Sequence, residues 1–103
     1  MKTPEYLIEQ AFVFRLAAEQ SIDPEDELTQ DMQLTLIKEE FDELMEAHIN
    51  EDSESDKAHT LKELADLVFV CYQYALARGW NLDTAMARIF ESNMSKFVDG
   101  KPL

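Results

Sequence analysis

The sequence has little of what disulfide-bonded, exported or membrane-spanning proteins need. Its single cysteine, Cys71, excludes an internal disulfide and fits a reducing compartment. Glu5 and Glu9 interrupt the apolar residues near the N-terminus, so no signal-peptide core is present. The longest uncharged run, residues 67–77, is too short to cross a bilayer. We therefore expect a cytoplasmic protein with no membrane partner.

Positive charge is also scarce. Nine Lys and Arg stand against 22 Asp and Glu, which gives a formal net charge of -13. Such a surface repels nucleic-acid phosphates, so nucleic acid is not an expected partner. An anionic substrate would need metal ions as intermediaries.

The chain is short for a self-sufficient core. With 103 residues, 46% of them hydrophobic, it predicts a single domain, residues 1–103. A core of this size is marginal in a monomer, and self-association is expected for that reason.

Apolar residues recur with the helical period throughout, and no segment favours a strand. Four helices are predicted, at residues 4–20, about 31–50, 61–77 and 82–96. Thr3 and Asn81 are the expected caps of the first and last helix, and Gly79 is expected to end the third. The third helix is apolar on nearly every face, which suggests that a partner subunit covers part of it. The prediction is an all-α four-helix bundle completed by tight dimerisation.

Two helices carry apolar stripes that are predicted to face the core. In the second helix the stripe is Leu34, Ile37, Phe41, Leu44, Met45 and His48. In the fourth it is Leu82, Met86, Ile89, Phe90 and Phe97, and Asn93 falls inside it. A buried asparagine needs hydrogen-bond partners, either a neighbouring backbone or a phosphate oxygen, and Lys96 would add charge in the second case. His48 is expected to be a satisfied interior or interface residue rather than a ligand.

Two pairs of carboxylates with the same spacing stand out from the remaining acidic residues. Glu40 and Glu43 lie on the second predicted helix, and Glu63 and Asp66 lie on the third. A three-residue step places both members of a pair on one helix face. If the two helices pack side by side, four carboxylates converge, and their mutual repulsion of several kcal/mol at an effective dielectric of about 20 favours a bound cation.

Each pair also has a simpler interpretation. Glu40 and Glu43, with Glu39, could form a solvated acidic face, and Glu63 could complete a capping box with Thr60. Asp66 lies among apolar neighbours, where an unpaired carboxylate is costly, so it needs either a metal or a hydrogen-bonded structural partner.

The donor set favours a hard metal ion. All four candidate ligands are carboxylates, and no His or Cys lies at ligand spacing with them, which indicates Mg²⁺ or Mn²⁺ rather than Zn²⁺. The Glu-x-x-His pattern of di-iron bundles is absent.

The ordered set of polar residues resembles a known family. Glu39, Glu40 and Glu43, then Glu63 and Asp66, then Asn93 and Lys96, resemble the MazG-like all-α nucleoside triphosphate pyrophosphatases in order and spacing. That superfamily includes phosphoribosyl-ATP pyrophosphatases and dimeric dUTPases. The resemblance spans nearly the whole chain, including the apolar helix after Asp66 and the break at Gly79.

The resemblance implies an enzyme that hydrolyses a nucleoside triphosphate between the α and β phosphates, a house-cleaning activity on the nucleotide pool. By position, Glu40, Glu43, Glu63 and Asp66 are the implied Mg²⁺ ligands. Glu39 is implied to orient or deprotonate the attacking water, and Asn93 and Lys96 to contact phosphate. A homodimer or dimer of dimers is implied. The alternative is a non-catalytic acidic helical dimer that binds a basic protein partner.

Overall fold

The computed structural model describes residues 3–98 and 101–102. Its helices are α1 (Leu7–Ala17), α2 (Glu27–Ile49), α3 (Glu54–Ala77) and α4 (Leu82–Met94). Two strands of two residues each, β1 (Phe97–Val98) and β2 (Lys101–Pro102), pair antiparallel after α4. The all-α class and the four helices are confirmed. The expectation of no strand is wrong for this tail, where backbone groups beyond the last helix pair with one another.

The first helix is shorter than predicted. Tyr6, in place of Thr3, is its N-cap residue and contributes no side-chain hydrogen bond. Beyond Ala17 the chain turns at Glu19, whose φ of 56° places it in the left-handed region. The backbone N–H of Gln20 then donates to the carbonyl of Arg15 at 2.9 Å, which closes the helix end.

The second and third helices begin earlier than predicted because acidic and hydroxyl side chains cap them. Asp26 accepts a hydrogen bond from the backbone N–H of Thr29 at 3.1 Å, ahead of α2. Ser53 and Asp56 form a reciprocal capping box at the start of α3. Residues 51–59 are therefore not a long connection. The alternative capping box at Thr60 and Glu63 is also wrong, because both residues lie inside α3.

The predicted signals between α3 and α4 are confirmed. Gly79 has a φ of 74°, the left-handed conformation that favours glycine after a helix end. Asn81 caps α4 by accepting from the backbone N–H of Thr84 at 3.1 Å. None of the helices in residues 3–98 is long and apolar enough to cross a membrane.

Helices α2 and α3 form an antiparallel pair, with α1 packed on α3 and α4 on α1. At one end of the pair the Gln30 amide donates to the carbonyl of Ala77 at 3.3 Å. At the other end Ala47 and His59 line one cleft. This pairing brings the acidic part of α2, with Glu40 and Glu43, next to the part of α3 that carries Glu63.

The predicted inward stripe of α2 is wrong for four of its six residues. Leu34, Phe41, Met45 and His48 are exposed. The face that meets α3 consists of Gln30, Gln33, Ile37, Glu40, Leu44 and Ala47. The helical period of α2 is as predicted, but the face that packs on α3 is a neighbouring one that includes the amides of Gln30 and Gln33. The more apolar face, which includes Leu34 and Phe41, is exposed.

The predicted stripe of α4 is also exposed. Met86, Ile89, Phe90 and Phe97 are between 42% and 65% exposed, and Leu82 is half-buried. No residue of α4 is fully buried. The helix is amphipathic as predicted, yet its apolar side faces away from the core.

A buried arginine joins α1 to α3. Arg15 is fully buried, and burial lowers the pKa of its guanidinium. It donates to the carbonyl of Ser21 and to the side-chain oxygens of Gln20 (3.2 Å) and Gln73 (3.3 Å). Gln73 in turn donates to the carbonyl of Ala11 at 3.0 Å. Each member of this network satisfies a polar group that would otherwise be buried without a partner.

Replacing Arg15 with methionine is expected to lower the free energy of unfolding by about 2–3 kcal/mol, because the acceptors on Ser21 and Gln73 lose their donor. Urea denaturation measures the change. Lys57→Met is the matched control, since Lys57 is an exposed cation on α3, and its effect should remain within about 0.5 kcal/mol. Equal effects of the two substitutions would contradict the structural role of Arg15.

Candidate metal centre

Three of the four predicted metal ligands converge between α2 and α3. Glu40 and Glu43 lie one turn apart on α2, and Glu63 faces them from α3. One carboxylate oxygen from each of the three lies within 4.8 Å of the others. We call Glu40, Glu43 and Glu63 the glutamate cluster. The antiparallel register of the two helices creates it, because neither helix holds all three residues.

Buried oxygens without hydrogen bonds distinguish this cluster from a solvated acidic face. The Glu63 side chain is 8% exposed. One oxygen of Glu63 and one of Glu40 are buried with no hydrogen-bond partner among the described residues. An unpaired buried carboxylate oxygen costs several kcal/mol unless a cation compensates it. The donor set of carboxylate oxygens fits a hard divalent ion.

Electrostatic repulsion within the cluster acts on Glu43 in particular. The negative charge of Glu40 raises the pKa of Glu43, and desolvation and Glu63 add to the increase. The close approach of the three carboxylates therefore makes Glu43 harder to ionise than an ordinary glutamate.

The metal-free stability should depend on pH through this group. Because the pKa of Glu43 is raised on folding, the folded state binds more protons than the unfolded state above the ordinary glutamate value, and stability falls as pH rises through that window. We expect Glu43→Gln to raise the melting temperature at about pH 7 and to have a smaller effect at about pH 5. Thermal melts in chelator test this; a difference that does not vary with pH would contradict it.

Asp66 lies outside the glutamate cluster and is paired with a lysine. Its Oδ2 atom lies 2.9 Å from Nζ of Lys62, and its side chain is 42% exposed. The same Nζ is 3.7 Å from Oε1 of Glu63. Asp66 therefore has a charged structural partner, Lys62, although its immediate sequence neighbours are apolar. The sequence could have predicted this ion pair, because Lys62 and Asp66 are four residues apart on one helix.

The cluster opens into an acidic cleft of about 270 Å³. The cleft is lined by Glu43, Glu46, Ala47, Asn50, Asp56, His59 and Glu63. Nε2 of His59 lies 3.6 Å from Oε1 of Glu63. Sequence reasoning missed Asp56 and His59 because it placed the start of α3 after them. Glu46 is exposed to water and also lines the open cleft.

The remaining predicted site residues lie elsewhere. Glu39 is exposed on α2 beside Glu40. Asn93 and Lys96 are exposed at the end of α4, where Nζ of Lys96 donates to Oδ1 of Asn93 at 3.2 Å. Neither residue lines the acidic cleft. Asn93 was expected to be buried, and that expectation is wrong because the apolar side of α4 faces outward.

The sequence matches the family model described as phosphoribosyl-ATP pyrophosphohydrolase over residues 9–93. The chain belongs to that family. The family is part of the MazG-like all-α nucleoside triphosphate pyrophosphatase superfamily, so the resemblance drawn from the spaced carboxylates is confirmed. A search of curated proteins finds no match.

Family membership makes the chain a hydrolase of the pyrophosphohydrolase class, acting on a nucleotide phosphoanhydride. Members of the superfamily typically depend on a divalent metal. The glutamate cluster is the group of side chains in residues 3–98 whose ligand atoms are close enough to hold such an ion.

Proposed function

We propose that this protein is a Mg²⁺-dependent nucleoside triphosphate pyrophosphohydrolase that converts an NTP or dNTP and water to the monophosphate and pyrophosphate. Residues 1–103 would act as one domain in nucleotide-pool house-cleaning in the cytoplasm. The observation that supports the proposal most strongly is the pair of buried, unpartnered oxygens on Glu40 and Glu63. An acidic docking surface would instead need its carboxylates spread over exposed positions.

Four residues would hold the ion: Glu40, Glu43 and Glu63 from the cluster, and Asp66 after it leaves Lys62. Mg²⁺ suits an all-oxygen donor set, and Mn²⁺ is a chemically reasonable substitute. When bound, the ion neutralises phosphate charge and lowers the pKa of coordinated water.

The other two roles follow from position. Glu39 directly precedes Glu40 and is exposed, and in this proposal its carboxylate orients or deprotonates the attacking water. Asn93 offers an amide donor and Lys96 an ammonium, both suited to phosphate oxygens. In-line attack at the α phosphorus would then release pyrophosphate as the leaving group.

The decisive experiment separates the two products. The purified protein is incubated with Mg²⁺ and a panel of canonical and modified triphosphates, to which the family name adds phosphoribosyl-ATP. Pyrophosphate as the initial product supports the proposal. Orthophosphate as the initial product, or no turnover accompanied by binding to basic proteins, would refute it.

Lys62 occupies part of the proposed metal site and should compete with the ion. Replacing it with methionine keeps much of the stem and removes the ammonium that lies 2.9 Å from Asp66. We expect the affinity for Mg²⁺ to rise by about threefold to tenfold, because the ion no longer has to displace the Lys62 ammonium from Asp66. Isothermal titration calorimetry measures the change.

Lys38→Met is the matched control for this prediction. Lys38 pairs with Asp42 at 3.0 Å with the same four-residue spacing, on the exposed side of α2. It changes the net charge equally but leaves Asp66 paired. An equal rise in affinity for both variants would mean that net charge, rather than the release of Asp66, controls binding.

A further inference from the structure

We infer that Lys62 is a phosphate-binding residue that exchanges partners. Its ammonium lies beside Asp66 and Glu63 in the metal-free protein, and it moves to a phosphate oxygen of the substrate when metal and triphosphate bind together. This inference rests on the proposed function and goes beyond the competition with the ion described above. Three features of Lys62 support it: the position of its ammonium, its unused hydrogen-bond donors and the exposure of its side chain.

The Lys62 ammonium lies at the edge of the proposed metal site. Its Nζ atom is 2.9 Å from Oδ2 of Asp66 and 3.7 Å from Oε1 of Glu63. In the part of the chain that the structure describes, the other lysine salt bridges involve neither the glutamate cluster nor Asp66. Lys62 is therefore the lysine that is placed to meet an anion bound beside these carboxylates.

The distances between Lys62 and the two carboxylates are close to those within a metal coordination shell. Octahedral Mg²⁺ holds its ligand oxygens at about 2.1 Å, so neighbouring oxygens on one ion are about 3 Å apart. A phosphate oxygen that shared an ion with Asp66 and Glu63 would lie about as far from their oxygens as the Lys62 ammonium does. A short movement of the lysine side chain therefore brings the ammonium into hydrogen-bond range of that oxygen.

Lys62 has unused donors and freedom to move. An ammonium has three N–H donors, and among the described residues the one hydrogen bond that Lys62 donates is to Asp66. Its side chain is 66% exposed, and the four-carbon stem is flexible. The ammonium can therefore turn from carboxylate to phosphate without a change in α3.

The charge of the site gives the reason for the exchange. The proposed function assigns four carboxylates to the ion, and one divalent ion balances the charge of two of them. Glu46 and Asp56 add negative charge in the adjoining cleft. A triphosphate therefore enters a site that is still negative, where a cation within reach of its oxygens strengthens the contact.

Lys62 therefore acts with opposite signs on the free ion and on the metal-bound nucleotide. The ammonium must leave Asp66 before an ion can bind there, and in the absence of nucleotide it gains no new partner. When a triphosphate binds with the ion, the ammonium exchanges a carboxylate oxygen for a phosphate oxygen. In this way Lys62 couples the binding of metal to the binding of nucleotide.

Binding measurements on the Lys62→Met variant test this coupling. Isothermal titration calorimetry gives dissociation constants for Mg²⁺ alone and, in excess Mg²⁺, for the α,β-methylene analogue of the best triphosphate of the panel, which cannot be cleaved at that bond. We expect the affinity for the free ion to rise, as stated above, and the affinity for the metal-bound analogue to fall by about tenfold, because a charge-assisted hydrogen bond is lost. In steady-state assays KM should rise by a similar factor while kcat stays within a few-fold.

Two further variants distinguish a phosphate contact from a general effect of charge. Lys62→Arg keeps a cation that pairs with carboxylate and phosphate, and it should restore most of the affinity for the analogue. Lys38→Met makes the same charge change at an exposed ion pair with the same spacing on α2. It should leave both affinities within about twofold of wild type.

The outcomes separate this inference from the proposed function. If Lys62→Met binds the metal-bound analogue as tightly as wild type or more tightly, while the wild-type protein releases pyrophosphate, the inference is wrong and the proposed function stands. An equal loss of affinity in Lys38→Met would also overturn the inference. Orthophosphate as the initial product of the wild-type protein would refute the proposed function, and the inference with it.

Discussion

Replacing Glu63 with glutamine is expected to reduce kcat/KM for triphosphate hydrolysis by at least about a hundredfold, roughly 2.7 kcal/mol of transition-state stabilisation. Glu63 is the most deeply buried member of the glutamate cluster, and one of its oxygens has no hydrogen-bond partner in the described part of the chain. The substitution preserves shape and removes one negative charge. The melting temperature of the metal-free protein should therefore rise while activity is lost, because repulsion within the cluster decreases.

The opposite signs of these two effects distinguish a metal ligand from a packing residue. A packing residue would lose stability and activity together. Glu46→Gln is the matched control, since Glu46 lines the same cleft but lies outside the cluster. It makes the same charge change, and its activity should stay within a few-fold of wild type. Normal turnover in the Glu63→Gln variant would exclude Glu63 as a metal ligand.

Mg²⁺ is expected to raise the melting temperature strongly. At a concentration about 100 times the dissociation constant, an ion that binds only the folded state adds about 2.7 kcal/mol of stability. For a domain of about this size that corresponds to a shift of roughly 10–20 °C. The stabilisation arises because the ion compensates three carboxylates that repel one another in its absence.

Screening must be separated from binding in this measurement. The net charge of -13 means that any salt will stabilise the fold to some degree. Potassium chloride at equal ionic strength provides the control, and the Glu63→Gln variant provides a second. A shift of the same size in potassium chloride would show that Mg²⁺ acts only by screening.

Much of the candidate site could be predicted from local sequence. The three-residue step between Glu40 and Glu43 places both on one side of a helix, whatever the helix packs against. The break after α3 at Gly79 and the cap at Asn81 are likewise local, since each depends on the conformation of one residue or one hydrogen bond. Ser53 and Asp56 had the same kind of signal, a capping box, which was overlooked in an acidic stretch.

The orientation of the helices about their axes could not be predicted in this way. On α2, the face with Leu34 and Phe41 is more apolar than the face with Gln33 and Glu40, yet the second one meets α3. Hydrophobicity ranks the faces of a helix but does not say which surface will cover each one. The same ambiguity applies to α4. Asn93 was predicted to face inward, but it is exposed.

The amino-acid sequence by itself determined the helical class, the family and the spacing of the acid residues, because these depend on short-range periodicity and on residue identity. Only the tertiary structure decided that Glu63 meets Glu40 and Glu43 while Asp66 pairs with Lys62. That outcome depends on the register between two antiparallel helices, and register is set by side-chain packing across the interface rather than by the pattern along either helix.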